Sequence, residues 1–296
     1  MDHQPEGRAP LVVAFVDDLM SATRIEAVAA HLGFRTEVVN GAPTPDLGDD
    51  PTKAERPGEP LHGPAAEMVD LLTTWQPALL VFDLANQDIP WQNWLPVLKS
   101  SPATKRIPII CYGPHVDTAV LAAARELLTE SDDVVARSRF FSTMPKLFSS
   151  LAHVPDYAEI EQDCYQPLSP EALQGLEAFN RADFFEAHEH LENAWNDELG
   201  AAGDLYRAVL QVAVAYLQIE RRNYRGAVKM FLRSRQWLEP LPAICRGIDA
   251  AQLRADAESA HALLVSLGPD QLDQFDLGLL RPVRYEPSQP TLGSKE

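Results

Sequence analysis

Short apolar runs alternate with stretches of helical period through the first half of the chain. Residues 11–16, 34–39, 78–82, 107–112 and 133–136 read as strands. Helical spacing covers 21–32, 65–75, about 91–99, 116–128 and 140–151. Gly33 closes the first of these helices. Between them, about 40–63 is rich in proline, glycine and charge and has no period, which predicts a disordered, solvated insertion. Five short apolar strands alternating with helices predict an α/β domain over 1–152, built on a doubly wound five-stranded parallel sheet. In such sheets function gathers at the carboxyl ends of the strands, where Asp17, Asp18 and Asp83 fall.

The period then changes. Residues 153–168 carry an acidic run without clear periodicity and read as a linker. Ser169 and Pro170 open a helix to about 180, and Asp183 opens another to about 199. Asp204 is expected to cap a helix over 205–221 that is apolar nearly all round and therefore central. Asn223 caps 224–239, and a last helix spans roughly 249–267. The pattern predicts an all-α antiparallel helical bundle over 169–282 and a flexible tail over 283–296. Within it, residues 181–187 match 221–227 at an offset of forty: a polar cap, an aromatic, then an alanine.

One stripe of the second bundle helix is unusual. Asp183 and Glu186 have capping-box spacing, and Phe184, His188, Leu191, Glu192 and Trp195 recur at helical intervals. His188 and Glu192 are thus expected on the core face, with His190 on the solvent face. In the second repeat copy the equivalents are Val228 and Leu232, the residues plain packing selects. Burying a polar group without a partner costs roughly 1–3 kcal/mol, so the pair needs a reason. It is a hydrogen-bonded pair extended by Gln211 of the central helix, or a ligand or metal site at His188, Glu192 and Gln211. No second helix supplies an obvious further metal ligand, and neither Ser-His-Asp nor Cys-His catalysis has support beyond the residue types.

Charge and cysteine content narrow the partners. The 43 acidic against 25 basic residues, net −18, disfavour nucleic acid and anionic membrane. The longest apolar stretch, 205–219, is too short to span a bilayer. Cys111, Cys164 and Cys245 are few, odd in number and scattered; with no basic, apolar leader, they predict a cytoplasmic protein without a disulfide framework. Arg221, Arg222, Arg225, Arg233 and Arg235 form a local basic face, solvated or turned to an acidic partner.

Two resemblances follow from these motifs. Residues 10–152 resemble a response-regulator receiver domain, through Phe-Val-Asp17-Asp18 after the first strand and Val-Phe-Asp83-Leu after the third. The resemblance implies magnesium at Asp17, Asp18 and Asp83, and Asp83 as phospho-acceptor. The hydroxyl residue of that family aligns with Gly113, and its lysine with Arg137; in the family both bind phosphoryl oxygens. Glycine offers no side-chain donor, and arginine is not equivalent to lysine, so a degenerate, phosphorylation-deficient receiver is expected. Residues 169 to about 282 resemble the helical family catalogued as domain of unknown function 309. Phe179-Asn180, His188-Glu189-His190-Leu191-Glu192-Asn193-Ala194-Trp195 and Leu210-Gln211-Val212-Ala213 carry that likeness.

The expectation is a cytoplasmic regulatory or adaptor protein whose receiver-like domain docks or senses. Its bundle would bind a protein partner or a second copy, with no cofactor required beyond possible magnesium. The alternative is a metal-dependent or small-molecule enzyme with its site at His188, Glu192 and Gln211.

Overall fold

The computed structural model describes residues 9–41, 63–198 and 200–286. The insertion expected at about 40–63 lies almost wholly outside the described residues. The chain divides into two compact units between Val154 and Pro155.

In the first unit β1 (Leu11–Phe15), β2 (Arg35–Val39), β3 (Leu79–Asp83), β4 (Ile109–Gly113) and β5 (Asp133–Ala136) pair in parallel, in the order β2-β1-β3-β4-β5. That is a doubly wound order whose switch point lies between β1 and β3. β1, β3 and β4 are buried along their whole length, as their unbroken apolar runs require. β2 alternates at the sheet edge. Helices α1 (Leu19–His31), α2 (Gly63–Trp75), α3 (Trp91–Ser100), α4 (Thr118–Glu126) and α5 (Arg137–Leu151) cover the sheet. Under α1 and α5 lies a core of Val12, Ile25, Leu79, Tyr112, Phe140 and Phe148, with Tyr112 and Phe140 stacked at 4.3 Å. The register Phe15↔Phe82, Asp83↔Tyr112 and Gly113↔Ala136 brings the strand ends to one level.

The second unit starts earlier than the linker reading placed it. Residues 157–163 form α6 (Tyr157–Asp163), capped by Asp156, and Ile160, Cys164 and Leu168 are buried in the bundle core. The acidic surface of this stretch hid three apolar anchors. Helices α7 (Pro170–Asn180), α8 (Phe184–Asn196), α9 (Asp204–Glu220), α10 (Tyr224–Leu238) and α11 (Ala250–Leu267) follow. As expected, α9 is central and packs on both α8 and α10. Between α10 and α11 a hairpin, β6 (Ile244–Cys245) and β7 (Ile248–Asp249), turns through Arg246 and Gly247 at positive φ. Nothing in the hydrophobic period announced it, because each strand is two residues long.

The tail reading is corrected too. Residues 281–286 lie along the hairpin, with Asp249 N donating to Arg284 O and Glu286 N to Gly247 O. Asn180 clasps the segment: its Nδ2 donates to Val283 O at 2.9 Å and its Oδ1 accepts from Val283 N at 2.8 Å. Val283 is buried as a result. Beyond Glu286 the expected tail is outside the described residues.

The forty-residue repeat is a repeated turn. Ala182 and Arg222 both adopt positive φ, and the next amides reach back to Ala178 O and Gln218 O. Asp183 and Asn223 then cap α8 and α10 through the amides of Glu186 and Gly226, each at 3.1 Å. Each copy thus closes one helix and opens the next with the same hydrogen bonds.

Candidate functional site

The strand ends of the first unit gather Asp17 and Asp18 after β1, Asp83 at the end of β3, Gly113 at the end of β4 and Arg137 after β5. Asp83 is 1% exposed. Its Oδ2 accepts from Arg137 Nη2 at 2.6 Å and its Oδ1 from the Ala85 amide at 3.0 Å. Burial raises its carboxyl above the ordinary value, against the pull of the Ala85 amide and the guanidinium. Tyr112, opposite Asp83 in the register, is fully buried, and Arg137 lies 5.3 Å from its ring centre. Its phenol is pushed up by burial and by the Asp83 charge.

Asp18 is engaged differently. It caps α1, accepting from the amides of Met20 and Ser21 at 3.3 and 3.1 Å and from the Ser21 hydroxyl. The Ser21 hydroxyl, ahead of those amides and the more distant Arg137, holds its carboxyl below the usual range. Arg137 Nη1 is 3.9 Å from Asp18 Oδ2, so one guanidinium spans the two acidic positions. Asp17 is exposed beside them. A cleft of about 750 Å³ opens here, with Asp18, Ser21, Arg24, His115, Arg137 and Phe141 among its lining residues. Asp83 is not among them: Arg137 is the group the cleft meets. Gly113 has room, since an added Cβ would stand 3.4 Å from Leu84 Cβ, an ordinary contact.

These residues do not fit the magnesium ion that the receiver resemblance implied. Asp83 Oδ2 is taken by a guanidinium and Asp18 by a helix terminus. Among the described residues no group of three or more His, Cys, Asp or Glu side chains is placed to hold a metal ion.

In the second unit the structure separates the expected trio. The buried residues of α8 are Phe184, Ala187, Leu191 and Ala194, and His188 and Glu192 flank that stripe. Their side chains are 32% and 50% exposed and meet only at 4.0 Å, His188 Nε2 to Glu192 Oε2. Gln211 is buried in α9, but its Oε1 has no hydrogen-bond partner, so no network joins it to the pair. His190, expected on the solvent face, bonds through Nδ1 to Glu171 Oε1 of α7 at 2.7 Å. That bond holds the Glu171 carboxyl below its usual value. Arg207 of α9 lies between Trp195 and Trp237, 4.5 and 3.9 Å from their ring centres. The tryptophans therefore sandwich a cation, which their separation in sequence did not foretell.

The scattered cysteines are also corrected. Cys164 and Cys245, 81 residues apart in sequence, form a disulfide with Cα atoms 4.5 Å apart; Cys111 is free and buried in the first unit. The pairing arises only because the unanticipated α6 and hairpin meet. Among the described residues no helix is long and apolar enough to cross a membrane.

One family model and several solved structures match parts of the chain. Residues 172–230, from α7 into α10, match the family model described as domain of unknown function (DUF309). No curated protein matches the chain. The first unit is similar to solved receiver structures. One is the receiver domain of a signal transduction histidine kinase from Syntrophus aciditrophicus, at 16% identity over 48% of this chain and 89% of that one, TM-score 0.36. Another is the phosphorylated cyanobacterial phytochrome response regulator RcpA, at 13% identity over 48% and 93%, TM-score 0.34. A third is a response regulator receiver domain from Rhodospirillum rubrum, at 18% identity over 49% and 97%, TM-score 0.34.

Proposed function

We propose that this is a regulatory or adaptor protein whose receiver-like unit works without aspartyl phosphorylation, and whose helical unit binds a protein partner or a second copy of the chain. The observation that carries this reading is the 2.6 Å ion pair between Arg137 and the buried Asp83. A phosphoryl group on Asp83 needs a divalent cation and donors for its oxygens. Here the acceptor oxygen is bonded to a fixed guanidinium, and Gly113 supplies no hydroxyl. Arg137 serves as the built-in counter-charge to Asp83, in the place a metal would take. Magnesium titration by calorimetry tests this. The wild-type protein should show no saturable binding at low millimolar magnesium, and Arg137→Ala should gain it. Saturable wild-type binding that is lost in Asp83→Asn would sink the counter-charge role.

A second reading, a small-molecule site in the helical unit, draws on Gln211. Gln211 is 3% exposed, and its buried amide oxygen without a donor is costly unless water or a ligand supplies one. The metal-dependent form of that reading has no ligand set among the described residues.

A further inference from the structure

The contacts that hold α6 on the bundle converge on one turn. Arg246, 3% exposed, donates its amide to Cys164 O at 2.7 Å. Its guanidinium bonds Asp163 Oδ2 at 2.8 Å, the Tyr206 hydroxyl at 2.8 Å, and Glu198. Asp163 also accepts from the Ala202 amide at 2.7 Å. Beside this cluster the Cys164–Cys245 bond ties the C-terminal end of α6 to β6.

α6 is seven residues long, with Ile160 buried within it and Cys164 and Leu168 buried just after it, and a helix of that length is not stable alone. Its place in the chain gives the attachment a consequence. The first unit holds the chain to His153, whose amide donates to Ala78 O, and Asp156 already caps α6. With α6 docked, the free path is 154–155. With α6 released, the path runs from 154 to the Ser169 cap of α7.

We propose that Cys164 and Cys245 form a redox latch on the tether between the two units. A protein dithiol of the thioredoxin class, or dithiothreitol in vitro, reduces the bond. One dithiol thiolate attacks a sulfur of the pair and forms a mixed disulfide. The second dithiol sulfur then displaces it. Two electrons and two protons pass to Cys164 and Cys245, which become thiols, and the reductant leaves as its own disulfide. Without the cross-link, the segment is held by Ile160 and Leu168, the Arg246 amide on Cys164 O and the Arg246 ion cluster. A buried ion pair of this kind returns little net stability once its desolvation is counted. Segment 155–168 then exchanges between docked and free. The latch adds a redox input that is independent of whether Asp83 takes a phosphoryl group.

Hydrogen–deuterium exchange of the full chain tests it, with thiols counted under denaturation. The oxidised protein should show one thiol, Cys111, and protected amides in 157–168. After dithiothreitol it should show three thiols, with exchange in that segment about tenfold faster and α9 still protected, as for opening of one local unit. Cys164→Ser with Cys245→Ser should behave like the reduced protein with or without reductant. Unchanged protection of 157–168 after full reduction overturns the proposal. So does loss of protection in α9 as well, which would make the bond a staple of the whole bundle. Three thiols that persist after oxidant treatment would show that the pair does not form.

Discussion

At the scale of single residues, Asp83 is the group held against its own preference. Burial raises its carboxyl, so the folded chain binds the proton more tightly than the unfolded chain does. The contribution of Asp83 to stability is therefore greatest at low pH and is lost as pH rises through the folded value. Arg137 offsets part of that loss. Arg137→Ala should destabilise by about 1–3 kcal/mol near pH 8, the cost of orphaning a buried charged acceptor, and by clearly less near pH 5. Urea melts at the two pH values measure it; an equal loss at both would show that the guanidinium acts through packing alone. The departures at Gly113 and Arg137 were legible in the sequence. That Arg137 reaches Asp83 was not, because spacing gives no side-chain direction across a sheet.

His188 teaches the opposite lesson. Its stripe was drawn through the large residues Phe184, Leu191 and Trp195, giving little weight to Ala187 and Ala194. Those alanines are buried where α8 meets its neighbours, and counting them centres the core face about 120° from Glu192 and about 80° from His188 at 100° per residue. Val228 and Leu232, the equivalents in α10, are also only partly buried or flanking. His188→Ala should then cost about 0.5–1 kcal/mol in a urea melt, an ordinary boundary substitution. A loss above about 3 kcal/mol would restore the buried-pair reading.

At the scale of elements, caps and long periods carried the reading. Ser169, Asp183 and Asn223 cap the helices they precede, whereas Asp204 is the first residue of α9, whose cap position, Gly203, has no side chain to bond. The repeated turn hides a strain that the alignment of its two copies did not show, since neither copy has glycine at its positive-φ residue. Ala182→Gly removes the Cβ penalty of that conformation and should stabilise by about 0.5–1 kcal/mol, part of the gain being offset by unfolded-chain entropy. A thermal melt reads the sign; destabilisation would mean the turn is not left-handed in solution. What the period missed was short: α6, the two-residue strands and the clasped segment 281–286. These hold by side-chain hydrogen bonds and a disulfide between residues distant in sequence. Local hydrophobic pattern carries no record of such partners.

At the scale of the molecule, two units of different fold each keep their own core, and the boundary falls where the acidic run begins, not where it ends. The α/β unit has the strand order that places chemistry at β1 and β3, yet a basic side chain stands there against Asp83. Phosphoryl transfer tests the consequence of that ion pair most directly. The full chain is incubated with acetyl phosphate and magnesium and its intact mass is followed over time. The wild-type protein should remain at its unmodified mass, while Gly113→Thr with Arg137→Lys, which restores the hydroxyl and the ammonium, should gain a phosphoryl group that Asp83→Asn removes. A wild-type chain that takes up one phosphoryl group, and loses that ability in Asp83→Asn, would contradict the account.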